Sequence, residues 1–173
     1  MKKLLFAMTL SCCYLLGIAQ DNITAEQAKA ITANTMANFT QSVSFAYTKG
    51  ISLGDFRKKL CGKATPLDAG NGMIETAYSY LSNGVTKDRI IKENDGIAVA
   101  KAFRYLYDQH NRGVASSDGS ELFGGKENLA NSQVARAEDC RWYQFWCHVQ
   151  VFANWVVQNW PTIQQILIYL LGL

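Results

Sequence analysis

The chain runs to 173 residues, 49% of them apolar and 18% charged, with a formal net charge of +3. Those proportions belong to one folded domain and exclude a disordered tail or a multidomain enzyme. Two prolines and thirteen glycines exclude collagen-like and low-complexity chains, and so small a net charge makes no case for nucleic acid as a partner.

The first segment has the layout of a secretory signal. Met1-Lys2-Lys3 is a short basic start, and an apolar run continues to Tyr14-Leu15-Leu16-Gly17-Ile18-Ala19. Gly17 and Ala19 are the small residues a signal peptidase needs, so residues 1–19 are expected to be removed by cleavage before Gln20, leaving a secreted or periplasmic protein. A lipoprotein signal cut before Cys12 or Cys13 stands behind this reading, because Thr9-Leu10-Ser11-Cys12 meets half of its requirements. A retained anchor fails on length, since about twenty apolar residues are needed to span a bilayer.

Cleavage takes Lys2 and Lys3 with it, lowering the net charge from +3 to +1, and leaves Cys61, Cys140 and Cys147 of the five cysteines. One disulfide and one thiol are expected in an oxidising compartment. If Cys140 and Cys147 share a helix they stand about 10 Å apart, beyond disulfide reach. Cys61 paired with Cys140 or with Cys147 is therefore the preferred bridge; the local pairing returns if Cys140 precedes the helix.

Residues 20–112 read as a helical domain. Thr24-Ala25-Glu26-Gln27 is a capping-box pattern that opens a helix expected to run to residue 49, with Gly50 as its stop. Ala28, Ile31, Phe39, Val43 and Ala46 share a face that Thr32, Thr35 and Ser42 interrupt. A short helix follows between Ser52 as cap and Gly62 as end. Thr65-Pro66 opens the next, with proline in its tolerated first turn and Asn83-Gly84 as its end. Thr86 caps another short helix, Asn94-Asp95-Gly96 breaks the chain, and residues 97–110 form a core-facing helix. Ala77-Tyr78-Ser79-Tyr80-Leu81 is echoed by Ala102-Phe103-Arg104-Tyr105-Leu106, but an echo five residues long is too short to establish a tandem repeat.

From 113 to 139 the composition turns to Ser, Gly, Asn and Lys, as in a loop or linker, with a short helix expected over Leu129 to Ala137. Residues 140–173 form the last segment, which packs on the domain. From Trp142 to Leu173 there is no Lys, Arg, Asp or Glu. On a helical wheel Trp142, Phe145, Trp146, Val149, Phe152, Ala153, Val156, Val157 and Trp160 make a broad apolar face, opposed by Gln144, His148, Asn154 and Gln158. Of these, Trp142, Phe145, Trp146, Val149, Phe152, Val156 and Trp160 are the candidate membrane or partner face. Pro161 breaks this amphipathic helix and starts a second. No period-two alternation occurs, so the fold expected is an all-α, irregular bundle of about five to seven helices with a Trp-rich C-terminal helix broken at Pro161.

No catalytic, cofactor or metal site can be nominated. Cys147 and His148 are neighbours that a helix points about 100° apart, which prevents a nucleophile–base hydrogen bond. Cys61, Cys140, Cys147 and a histidine have the residue types for zinc without the spacing. Gly124-Gly125-Lys126-Glu127 lacks the flanking residues of a phosphate loop. Asp55, Glu75, Asp88, Glu93, Asp95 and Asp108 are scattered among lysines, and Arg57-Lys58-Lys59 is a basic cluster that reads first as a solvated face. In composition alone, the uncharged Trp-rich end resembles bacteriocin-type membrane-active proteins. The segment is expected first as a central helix of the bundle, surrounded on most sides, with a membrane or partner face as the competing readings. The function expected is a non-catalytic interaction module with an unknown protein partner; a membrane-active effector that releases this segment onto a membrane surface is the alternative, and an enzyme with an unrecognised site the third.

Overall fold

The computed structural model describes residues 23–112, 119–125 and 145–173. The calls on the signal and its cleavage before Gln20, on Cys12, Cys13, Cys140 and Trp142, and on a helix over 129–137 lie outside the described residues. The fold is all-α. Seven α-helices are described: α1 Ala25–Val43, α2 Leu53–Cys61, α3 Asp68–Ser82, α4 Lys87–Glu93, α5 Ile97–Asn111, α6 Phe145–Gln158 and α7 Trp160–Leu171. Two single 3-10 turns, Ser44–Ala46 and Ser120–Phe123, complete the set, and no strand occurs among the described residues.

α1 is the central helix, with α3, α4, α5, α6 and α7 all packed against it. Its start is the capping box read from the sequence: the Thr24 hydroxyl accepts from the Gln27 backbone N–H and the Gln27 side chain accepts from that of Thr24. The threonines that interrupt its apolar face satisfy themselves within the helix. The hydroxyls of Thr32, Thr35 and Thr40 donate to the carbonyls of Ala28, Ile31 and Met36, so no polar group is left unpaired where Thr32 and Thr40 are buried. The helix stops at Val43, short of the expected residue 49. The 3-10 turn that follows leads into extended Tyr47, whose ring meets Phe56 and Tyr78 edge-on at 6.4 and 6.1 Å.

α2 has the boundaries the sequence suggested, with the Ser52 hydroxyl accepting from the Asp55 N–H and Gly62 closing the helix at φ 65°. α3 begins at Asp68, two residues later than Pro66 suggested. The Leu67 N–H donates to the Leu122 carbonyl at 3.0 Å, which holds Leu67 extended at ψ 161° and postpones the first helical turn. Between α4 and α5 the buried Asn94 ties the break together, its side chain accepting from the Gly96 N–H and donating to the Tyr80 hydroxyl. Gly96 sits at φ 79°, and a Cβ there would fall on the Thr32 side chain of α1; this close approach of α5 to α1 needs glycine.

The 3-10 turn Ser120–Phe123 departs most from expectation, because a polar linker was foreseen there. Leu122 and Phe123 are 0% and 1% exposed. Phe123 stacks on Phe39 of α1 at 5.6 Å and meets Phe145 of α6 edge-on at 5.2 Å. The Leu122 backbone lies against Gly70 so closely that any side chain at 70 would collide with it. Two apolar residues inside a Gly/Ser-rich stretch are enough to anchor it in the core.

Candidate functional site

Most of the expected C-terminal face is turned inward. Phe145, Val149 and Val156 are buried. Trp146, Phe152 and Trp160 are half-buried, each docked on a partner: Phe152 stacked on Phe103 at 5.6 Å, Trp160 on Tyr107 at 4.6 Å beside His110, and Trp146 against Phe145 and over Gly125. α7 begins beside the end of α5 and ends beside its start, where Leu170 approaches Gly96, so the two helices run antiparallel. The N–H of Ile23, ahead of α1, donates to the Gln165 side chain in α7. These side chains cover α1 and α5 and are core in this structure, because the surface they pack on is itself apolar.

What faces outward was missed in the sequence. Among the described residues the exposed large hydrophobics are Leu67, Val157, Ile168, Tyr169 and Leu173. Four of these five fall between residues 157 and 173, where no charged side chain stands nearby in sequence. The signal was present in α7: Ile163, Ile166 and Leu167 turn inward while Pro161, Gln164 and Ile168 share the opposite side. Among the described residues no helix is long and apolar enough to cross a membrane.

The cysteines correct one expectation. Cys61 is a free thiol, buried at the end of α2, so it bridges to neither Cys140 nor Cys147. α2 packs chiefly on α3 and the first 3-10 turn, whereas Cys147 belongs to α6, which lies on α1 and α5. Cys147 is itself disulfide-bonded. Burial pushes the Cys61 thiol up to about 11, only partly offset by Arg57 nearby. Neither described sulfur is a ready nucleophile.

The carboxylates serve structure. Glu75 pairs with Arg57, Glu93 with Arg89 and Asp108 with Arg104, while Asp95 accepts from the Ile97 N–H at the start of α5. The Tyr105 hydroxyl donates to Glu121 at 2.9 Å, tying α5 to the second 3-10 turn. Burial first, then that hydrogen bond and the charge of Glu121, push Tyr105 up to about 12. Among the described residues no group of three or more His, Cys, Asp or Glu side chains could hold a metal ion.

The basic cluster is divided by the fold. Arg57 turns to Glu75 of α3, while Lys58 and Lys59 join Lys49 around an open depression of about 600 Å³ between α2 and the turn that follows α1. Thr48, Gly50, Ile51 and Asp55 complete its lining. No family model, curated protein or solved structure matches the chain.

Proposed function

We propose that this is a secreted or periplasmic, non-catalytic interaction protein, and that its binding face is the outer side of the C-terminal helices. One observation carries the reading: four of the five exposed large apolar residues among those described, Val157, Ile168, Tyr169 and Leu173, fall on an uncharged stretch whose other apolar side chains are buried or half-buried. Apolar side chains concentrated on one part of a surface mark contact with another macromolecule. The secretory layout of residues 1–19 supports the compartment. A protein partner is preferred to a membrane because the half-buried tryptophans of α6 and α7 are occupied by α5 and Gly125 rather than offered to headgroups.

The test introduces a photo-crosslinking amino acid at position 168, with position 101 on exposed α5 surface as control, in the producing cell. A discrete protein adduct from 168 alone, abolished by Tyr169→Glu, is the expected result. Equal labelling from both positions, or none, would overturn the reading. Co-sedimentation with phosphatidylcholine/phosphatidylglycerol vesicles, lost in the same variant without a protein adduct, would transfer the face to a membrane surface.

A further inference from the structure

We propose that the depression between α2 and the turn after α1 binds a small polyvalent anion of the phosphate class, through the ammonium groups of Lys49, Lys58 and Lys59. The depression is open and its lining is mostly exposed, so a ligand there would be held by charge at the surface rather than by enclosure. Three lysines meet there against one carboxylate, Asp55, whose Oδ2 already accepts from the Ser52 hydroxyl at 2.7 Å. The ion pairs among the described residues are all made by arginines, at positions 57, 89 and 104. Among the described residues none of the three lysines enters an ion pair. A helix C-terminus accounts for Lys58 and Lys59 in the last turn of α2, but not for Lys49, which arrives from a different element on the other side of the same depression.

The walls are held before any ligand arrives. The Ile51 N–H donates to the Thr48 carbonyl at 2.9 Å, closing the turn that carries Lys49. The Tyr78 hydroxyl of α3 donates to the Ile51 carbonyl at 2.8 Å, fixing that turn to the body of the protein. Beneath it, Phe56 of α2 meets Tyr78 at 5.7 Å and Tyr47 at 6.4 Å, so one aromatic cluster locks α2 to the turn. Fixed backbone leaves only lysine side-chain freedom to be lost on binding. Several point charges around one space favour a ligand with several negative charges of its own, such as a phosphate ester or a condensed phosphate. A free compound and a lipid headgroup offer the same chemistry.

The experiment titrates the full chain with inorganic tripolyphosphate by isothermal calorimetry at low salt, and in parallel with vesicles containing phosphatidic acid. Lys49→Gln, Lys58→Gln and Lys59→Gln are all at exposed positions, so circular dichroism should show unchanged folding. Saturable binding that each substitution weakens about fivefold, that Lys101→Gln on α5 leaves unchanged, and that rising salt weakens is expected for a free anion. Vesicle binding with the same variant pattern, without tripolyphosphate binding, supports the site with a headgroup as its ligand. Absence of both, or a Lys101→Gln effect equal to that of Lys49→Gln, overturns the proposal.

Discussion

Ending the chain at Arg141 removes α6 and α7, and the size of the effect can be worked from what those helices bury. Phe145, Val149, Val156, Ile163, Ile166 and Leu167 are each 4% exposed or less. At about 2 kcal/mol per buried side chain of this size, their burial is worth about 12 kcal/mol. Excision also uncovers their partners, the wholly buried Phe103 among them. Net stabilities of domains run at about 5–15 kcal/mol, so the shortened chain should have no cooperative native state. The assay is urea and thermal unfolding followed by circular dichroism, with Tyr169→Ser, at an exposed position, as a control expected to stay within about 0.5 kcal/mol of the parent. A shortened chain that melts cooperatively within about 3 kcal/mol of the full one would refute the argument and make the C-terminal helices a detachable unit.

Phe103→Ala removes a wholly buried ring that stacks on Phe152 and tilts against Trp155, and urea unfolding should register a loss of about 3–5 kcal/mol. Gly96→Ala forces an L side chain to φ 79° and into Thr32; a loss of about 3 kcal/mol is expected, seen as a lowered Tm. Cys61 and Tyr105 hold their protons more tightly folded than unfolded, at about 11 against 9.0 and about 12 against 10.0. Their contribution is therefore complete below pH 9 and declines as pH rises toward 12, and the double variant Cys61→Ala/Tyr105→Phe should flatten that alkaline decline in a pH series of unfolding curves. Peptide mapping after alkylation at pH 8 without reduction should find Cys61 unmodified in the native protein and alkylated after unfolding, with Cys147 in a bridge under both conditions.

Local structure was legible where local chemistry decides it. The Thr24 capping box, the Ser52 cap with Gly62 as stop, the Asn94-Asp95-Gly96 break and the helix restart at Pro161 all follow from side chains satisfying helix ends. Long-range contacts were not legible in that way. The late start of α3 depends on a hydrogen bond from Leu67 to Leu122, far along the chain, and the anchoring of Leu122 and Phe123 depends on a gap among α1, α3 and α6 that no local pattern reveals. Of the apolar face read for α6, Phe145, Val149 and Val156 are buried and Val157 is exposed; periodicity cannot say what covers a face. The basic cluster was visible as Arg57-Lys58-Lys59; that Arg57 would leave it and Lys49 would enter needed the turn after α1 to be folded onto α2.

The bond from Ile23 to Gln165 joins residues 142 positions apart, and the helix at the centre of the bundle is the first of those described in chain order. α1 finds α6 and α7 only when synthesis has reached its final turns, and contacts of that separation are slow to form. At ribosomal rates of about 5–20 residues per second, α1 waits several seconds for the helices that complete its surroundings. Through that interval the nascent chain has no finished core to unravel. Among the described elements, the last to be made is therefore the one that closes the structure around α1.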